Sequence, residues 1–202
     1  EVVVPKKIRC CGSLAHHLGK NEEAHQDFIN NINTWYDEYL KGNLDAILSN
    51  TSGCGTTVKD YGFIFRDDKK MKKKAKKISE LTKDVSEYLS ESLNLKFKNK
   101  EKKLRIAYHS ACSMQHGQKV HNQPINLLAK TKNEILEIPE GHICCGSAGT
   151  YNILQSKIAK ELLKNKVKNI ESLEPQVIST GNIGCITQIA NGTNIPILHT
   201  VE

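Results

Sequence analysis

Residues 135–147 read Ile135-Leu136-Glu137-Ile138-Pro139-Glu140-Gly141-His142-Ile143-Cys144-Cys145-Gly146-Ser147, an apolar strand pattern that runs into a pair of adjacent cysteines. The stretch occurs twice. With the cysteine pairs superposed, Glu1-Val2-Val3-Val4 falls on Ile135-Leu136-Glu137-Ile138, Pro5 on Pro139, and Cys10-Cys11-Gly12-Ser13 on Cys144-Cys145-Gly146-Ser147, an offset of 134 residues. Each copy continues into a second short apolar pattern, Ile47-Leu48-Ser49 or Val177-Ile178-Ser179, and then into Gly53-Cys54 or Gly184-Cys185. A solenoid is built from many short repeats, so two long copies imply a pseudo-twofold protein.

The second copy carries a lead-in. Leu104-Arg105-Ile106-Ala107-Tyr108-His109 reads as a strand, and Cys112 follows it. The same offset places the counterpart upstream of Glu1, and the chain does not open with Met. The expectation is a longer protein cut inside its first repeat. One site is then expected to gather Cys112, Cys144, Cys145 and Cys185, and the other Cys10, Cys11 and Cys54. Thiolates drawn from distant points of a chain suit soft metals and iron–sulfur clusters, which makes this an expected electron-transfer protein. Tetrahedral zinc is the main rival, although its usual Cys-x-x-Cys spacing is absent. A thiol–disulfide pair and simple burial of small apolar thiols are the lesser alternatives.

Strand and helix patterns alternate along the chain. Strands are expected at Val2–Val4, Leu44–Leu48, Leu104–Tyr108, Glu134–Ile138, Gln176–Ser179 and Ile195–Leu198. Helices are expected at Asn21–Leu40, ended by Gly42-Asn43, from Cys54 to Gly62, at Ser79–Leu93 and at 150–170. This alternation predicts an α/β fold of two pseudo-twofold-related lobes, each a small, mainly parallel sheet flanked by helices. The lobes are expected at 1–100, truncated at its start, and 101–202, with a polar boundary near Asn99–Lys103. Cys112, Cys144 and Cys185 all follow strands, where open α/β sheets place their ligands. Gly12, Gly53, Gly146 and Gly184 are expected to let the backbone approach a bound group closely. Helix N-termini beside them would favour an anionic ligand.

Composition narrows the function. A chain of 202 residues allows one large domain or two lobes, and no apolar run approaches a membrane span. Seven cysteines, an odd number without compact spacing, argue against a secreted disulfide scaffold and for a reducing compartment. The net charge of +7 is concentrated in Lys69–Lys77, which holds seven lysines in nine residues. That run reads as a solvated helix face or loop, with attraction to anionic lipid or an acidic partner as the alternative. No nucleic-acid module, Ser-His-Asp set, phosphate loop or dinucleotide fingerprint is present, so no catalytic side chain is expected. His16, His17, His109 and His116 lie near cysteines and are read as packing or supporting groups, or else as a ligand or proton relay. His25, His121, His142 and His199 read as structural.

At these residues the chain resembles the CCG-domain (cysteine-rich domain) family of iron–sulfur proteins. Cys144-Cys145-Gly146-Ser147-Ala148-Gly149-Thr150-Tyr151-Asn152 is similar to the family's second cysteine motif. Gly181-Asn182-Ile183-Gly184-Cys185 with Gln188-Ile189, Tyr108-His109 with Cys112, His116-Gly117-Gln118 and His199-Thr200-Val201-Glu202 also match. The resemblance is greatest to glycolate oxidase-type members and extends to lactate-utilization and heterodisulfide reductase-like ones. It implies a cytoplasmic subunit, at the inner face of the membrane, with an iron–sulfur cluster of the 4Fe–4S type on the seven cysteines. It also implies a partner subunit that carries FAD and oxidizes a 2-hydroxy acid, further subunits, and electrons passed to a membrane acceptor such as quinone. Three departures stand out. Thr51 and Asn182 occupy the first position of the family's closing Cys-x-x-Cys, Ser110-Ala111 replaces Asp-Pro before Cys112, and a ferredoxin-like part is missing.

Overall fold

The computed structural model describes residues 1–42, 44–92, 95, 97 and 103–202. The chain forms two compact units, one of Glu1–Ser49 with Gly53–Asp84 and one of Asn50–Ser52 with Val85–Glu202. The expected boundary near Asn99–Lys103 falls largely outside the described residues, as do Asn43 and Leu93 at the expected helix ends. Both units are α/β, each with a small parallel sheet flanked by helices. Among the described residues no helix is long and apolar enough to cross a membrane.

In the first unit the order is α1 (Ser13–His17), α2 (Asn21–Leu40), β1 (Ile47–Ser49), α3 (Ser52–Ile64), α4 (Lys72–Leu81) and β2 (Thr82–Asp84). Strands β1 and β2 pair in parallel, Ile47 opposite Thr82 and Ser49 opposite Asp84. Ala24, Phe28 and Ile32 recur every four residues on α2 and are fully buried. They meet Val58, Tyr61 and Phe65 of the α3 region, Met71 just before α4, and Ala75 and Ile78 of α4. That spacing is why α2 is a helix with one buried stripe.

The Lys69–Lys77 run lies over this last stripe. Met71, Ala75 and Ile78 turn inward, while Lys72, Lys73 and Lys76 are exposed. Asp68 Oδ1 accepts the Lys70 and Met71 N–H groups at 2.8 and 2.9 Å, satisfying donors where the helix begins. The run is therefore a solvated helix face. Two expectations fail here. Val2–Val4 is not a strand: it has β-branched side chains but no strand partner among the described residues, and the three residues are 60–85% exposed. Ser79–Leu93 is not one helix, because Thr82-Lys83-Asp84 extends to pair with β1 and divides α4 from α5 (Val85–Ser92).

In the second unit α5 is followed by β3 (Arg105–Tyr108), a π-helical segment (Ser113–Gln118), α6 (Asn122–Ala129) and β4 (Glu134–Glu137). Then come α7 (Tyr151–Leu154), α8 (Ser156–Glu171), β5 (Val177–Thr180), α9 (Ile183–Ala190) and β6 (Ile197–His199). The sheet order is β4-β3-β5-β6, all parallel. Its core includes Ala107, Ile138, Val167, Ile170, Ile178 and Ile189, and also Cys145 and Cys185. The expected helix over 150–170 is interrupted at Gln155, where φ is −123° and ψ 50°.

Candidate metal centres

In the second unit four cysteines meet. The cysteine pair follows β4, Cys112 leads into the π-helical segment after β3, and Cys185 lies in the first turn of α9 after β5. Cys144 lies between Cys112 and Cys145, close enough for each thiol to shift its acidity, and Cys145 lies in the same way beside Cys185. Glycines draw the loop together. Gly146 has φ +92°, and a Cβ there would lie 2.4 Å from the Ala159 carbonyl oxygen, so the loop seats directly on α8. A Cβ on Gly184 would lie 2.7 Å from Ser147 Oγ, which brings the start of α9 against the same loop.

The sulfurs polarize one another. Thiol donors from Cys112 and Cys145, together with the Gly146 N–H at 3.3 Å, push the Cys144 thiol down to about 2. Cys185 is pushed down to about 5, first by Cys145 and then, against the effect of burial, by His109 and the Asn182 amide. That amide donates to Cys185 Sγ at 3.5 Å. Cys112 and Cys145 are pushed up, because each donates to a more acidic neighbour and is buried. A metal replaces such shared protons outright, since ligating sulfur is thiolate.

Two further groups surround the sulfurs. His109 is 1% exposed, and one of its ring nitrogens lies within 4.8 Å of both Cys145 Sγ and Cys185 Sγ. Lys166 is 2% exposed; its ammonium donates to the Glu140 carbonyl at 3.1 Å and the Gly141 carbonyl at 3.4 Å. Burial lowers the Lys166 pKa, while the charges of Cys145, Cys112 and Cys144 oppose that effect. A buried ammonium is costly unless negative charge faces it, and here sulfur supplies that charge.

In the first unit Cys11 and Cys54 lie close enough to shift each other's acidity, and Cys10 is near both. Cys54 lies in the first turn of α3, as Cys185 does in α9. It is pushed down to about 7 by the Cys11 thiol, while Cys11 is pushed up by the same contact and by burial. The cysteine loop is pinned by two core side chains. Buried Asn31 accepts Arg9 N–H at 2.8 Å and donates to the Cys10 carbonyl at 2.8 Å. The Tyr61 hydroxyl donates to the Cys11 carbonyl at 2.9 Å. Gly12 has φ +75°, and a Cβ there would lie 2.4 Å from the Phe28 ring, whereas Gly53 faces open space.

Cys112, Cys144, Cys145 and Cys185 are neighbours in the second unit and Cys10, Cys11 and Cys54 in the first, with His109, Cys145 and Cys185 the most tightly grouped among the described residues. His16 stacks edge-on against Phe28, 5.7 Å between ring centres, and His17 lies beside it. Asn31 and Lys166 were not anticipated. A signal existed for both, because each is a polar residue on the inward stripe of its helix, beside Phe28 and Ile32 or between Ala159 and Ile170.

Comparison with known proteins gives these sets a context. The cysteine-rich domain (CCG) family model matches residues 1–59 and 106–190. The chain is 35% identical over 201 residues to the glycolate oxidase iron-sulfur subunit of Escherichia coli (strain K12), covering 100% of this chain and 49% of that protein. It is 29% identical over 197 residues to the probable glycolate oxidase iron-sulfur subunit of Bacillus subtilis (strain 168), covering 95% of this chain and 43% of that one. Against lactate utilization protein A of the same bacterium it is 26% identical over 208 residues, 100% of this chain and 85% of the relative. The chain thus spans about half the length of the glycolate oxidase subunits it matches. Both copies of Cys-Cys-Gly-Ser, each with its downstream Gly-Cys, lie within the matched residues, and the chain belongs to the cysteine-rich domain (CCG) family.

Proposed function

We propose that this chain is the iron–sulfur electron-transfer part of a 2-hydroxy-acid oxidoreductase of the glycolate oxidase type. The observation that carries the reading is the run of neighbouring sulfurs, Cys112 beside Cys144, Cys144 beside Cys145 and Cys145 beside Cys185, next to a buried ammonium. The donor set fits a cluster: four sulfurs, an orphaned buried imidazole, and N–H donors from Gly146 and Asn182 to two of the sulfurs. A 4Fe–4S-type cluster held there would accept and release single electrons.

The chain's own residues do the rest. Cys112, Cys144, Cys145 and Cys185 bind, and Lys166 offsets the charge of the bound anion. Gly146 and Asn182 hold two sulfurs in orientation, and the surrounding core keeps water from Cys145 and Cys185, which are 1% and 5% exposed. Cys10, Cys11 and Cys54 form a second binding set with three thiolates. Gly12, Gly53, Gly146 and Gly184 give the backbone its path around the two sites.

In this reading a flavin subunit with FAD oxidizes the hydroxy acid, and this subunit relays the electrons to a membrane acceptor such as quinone at the cytoplasmic face. Support comes from the names of the glycolate oxidase and lactate utilization relatives. A zinc-stabilized docking subunit is the second reading, because four converging sulfurs also suit tetrahedral zinc.

The test is Cys145→Ser in the full-length protein within its complex. The expected result is loss of iron from the second site and of hydroxy acid-to-quinone turnover, because a Ser hydroxyl is a harder and far less acidic ligand. Iron content and turnover both equal to those of the unsubstituted complex would overturn the reading.

A further inference from the structure

His109 is fully enclosed, and among the described residues neither ring nitrogen finds a partner of good hydrogen-bond geometry, although the Cys185 thiol that it helps to acidify lies close by. Folded proteins rarely leave a buried polar atom unmet, and an ion or water usually accounts for the exception. The surroundings favour an ion. One His109 nitrogen, Cys145 Sγ and Cys185 Sγ lie within 4.8 Å of one another. Metal bonds to nitrogen and sulfur are about 2.0–2.3 Å long, so a side-chain adjustment of about 1 Å puts all three on a common ion.

The main chain makes this juxtaposition rigid. His109 directly follows β3, and its N–H donates to the Ser179 carbonyl of β5 at 2.8 Å. Strands β3 and β5 pair with Tyr108 opposite Ser179, and β5 leads through Asn182 into the first turn of α9 and Cys185. Two neighbouring strands at the centre of the sheet therefore deliver an imidazole and a thiol to one place. Other polar groups there are already committed. The Asn182 amide donates to Cys185 Sγ, and the Lys166 ammonium donates to two carbonyls and has no lone pair to give.

We propose that His109 is a nitrogen ligand of the metal centre held by Cys145 and Cys185, an inference that rests on the cluster reading above. The imidazole binds in its neutral form through an unprotonated ring nitrogen, which satisfies one of the two orphaned atoms. A thiolate would bring a negative charge to the centre and the imidazole brings none. Histidine in place of a thiolate raises a cluster's reduction potential, so His109, as a further ligand beside the cysteines, leaves this centre easier to reduce than a thiolate at the same position would.

The experiment compares anaerobically purified full-length protein, with and without 15N-labelled histidine, by pulsed electron paramagnetic resonance of the reduced centre. The expected result is a histidine nitrogen coupling that changes with the isotope. It disappears in His109→Cys, whose iron content stays near that of the unsubstituted protein and whose potential moves to a more negative value. His109→Ala serves as a second variant if the cysteine form does not fold; it too should lack the coupling. A cluster spectrum without any histidine nitrogen coupling in the unsubstituted protein overturns the inference and leaves the cluster reading intact. If the protein instead holds zinc, the cluster reading fails. Zinc-edge X-ray absorption then decides the ligand: nitrogen lost in His109→Ala supports His109, and an all-sulfur shell overturns it.

Discussion

The two cysteine sites use the same local devices and differ in how they are enclosed. In both, a Cys-Cys-Gly-Ser loop passes through a left-handed glycine pressed against a helix, and a later cysteine sits in the first turn of a helix that follows a strand. In both, that strand pairs in parallel with the next strand of its sheet, β1 with β2 and β5 with β6. The difference is β3. It places His109 and Cys112 at the second site, and with β4 beside it the sheet has four strands, so Cys145 and Cys185 enter the core while Cys10 is exposed. The comparison teaches that the cysteine motif places the sulfurs, while the sheet behind it sets their burial, the charge around them and the other polar groups in reach.

The largest contrast is expected from the cysteine pair itself. In full-length protein, Cys145→Ser should remove the second-site metal entirely and leave the first, and Cys11→Ser should do the reverse. Metal analysis with Mössbauer spectroscopy distinguishes the centres. Loss of both from either substitution would mean that the two sets do not bind independently.

The glycines sharpen the contrast next. Gly146→Ala forces a side chain into left-handed backbone and against a main-chain oxygen, so it should cost about 2–4 kcal/mol. Gly12→Ala meets the same backbone penalty, but its tightest contact is a side-chain ring, Phe28, with the Ala24 carbonyl farther off at 3.2 Å, so it should cost less, about 1–3 kcal/mol. Urea titration of each variant checks the order, and a costlier Gly12→Ala would break the parallel between the sites.

How each loop is supported should matter to a smaller degree. Asn31→Ala removes the hydrogen bonds to Arg9 and Cys10 and should destabilize the protein by about 1–3 kcal/mol. Lys166→Met removes a buried charge with no carboxylate hydrogen-bonded to it. It should leave the metal-free chain no less stable while shifting the second centre to a more negative potential, because a positive charge facing the sulfurs is gone. Redox titration beside denaturation separates the two effects.

The smallest effect is expected in metal-free protein. Cys54 is held near 7, so its thiolate fraction and alkylation rate should rise as the pH climbs through about 7, while Cys11 stays protonated and slow. Peptide mapping after iodoacetamide treatment across a pH series follows both residues. Equal rates at neutral pH would refute the donor–acceptor assignment within the pair.

Which parts were legible in the chain follows from what shapes each one. Helix α2 could be placed at Asn21–Leu40 because Ala24, Phe28 and Ile32 repeat at helical spacing over twenty residues. The cysteines could be assigned to the two copies because the repeat fixes their order along similar strands. Strand β2 could not, since Thr82-Lys83-Asp84 has no apolar residue and is extended only by pairing with β1. Val2–Val4 misled for the opposite reason: propensity without a partner does not make a strand. Helix α4 was hidden by its lysines, although Asp68 and the Met71, Ala75, Ile78 spacing announced it. His109 was visible as a residue after a strand, but its place beside Cys145 and Cys185 depends on β3 lying next to β5, which no local pattern encodes.

The most direct test of the account is the visible spectrum of full-length protein purified without oxygen, read together with its iron, acid-labile sulfide and zinc content. The account predicts a brown protein with iron and sulfide in comparable amounts, both reduced by Cys145→Ser. A colourless protein with zinc, no sulfide and intact folding would contradict it.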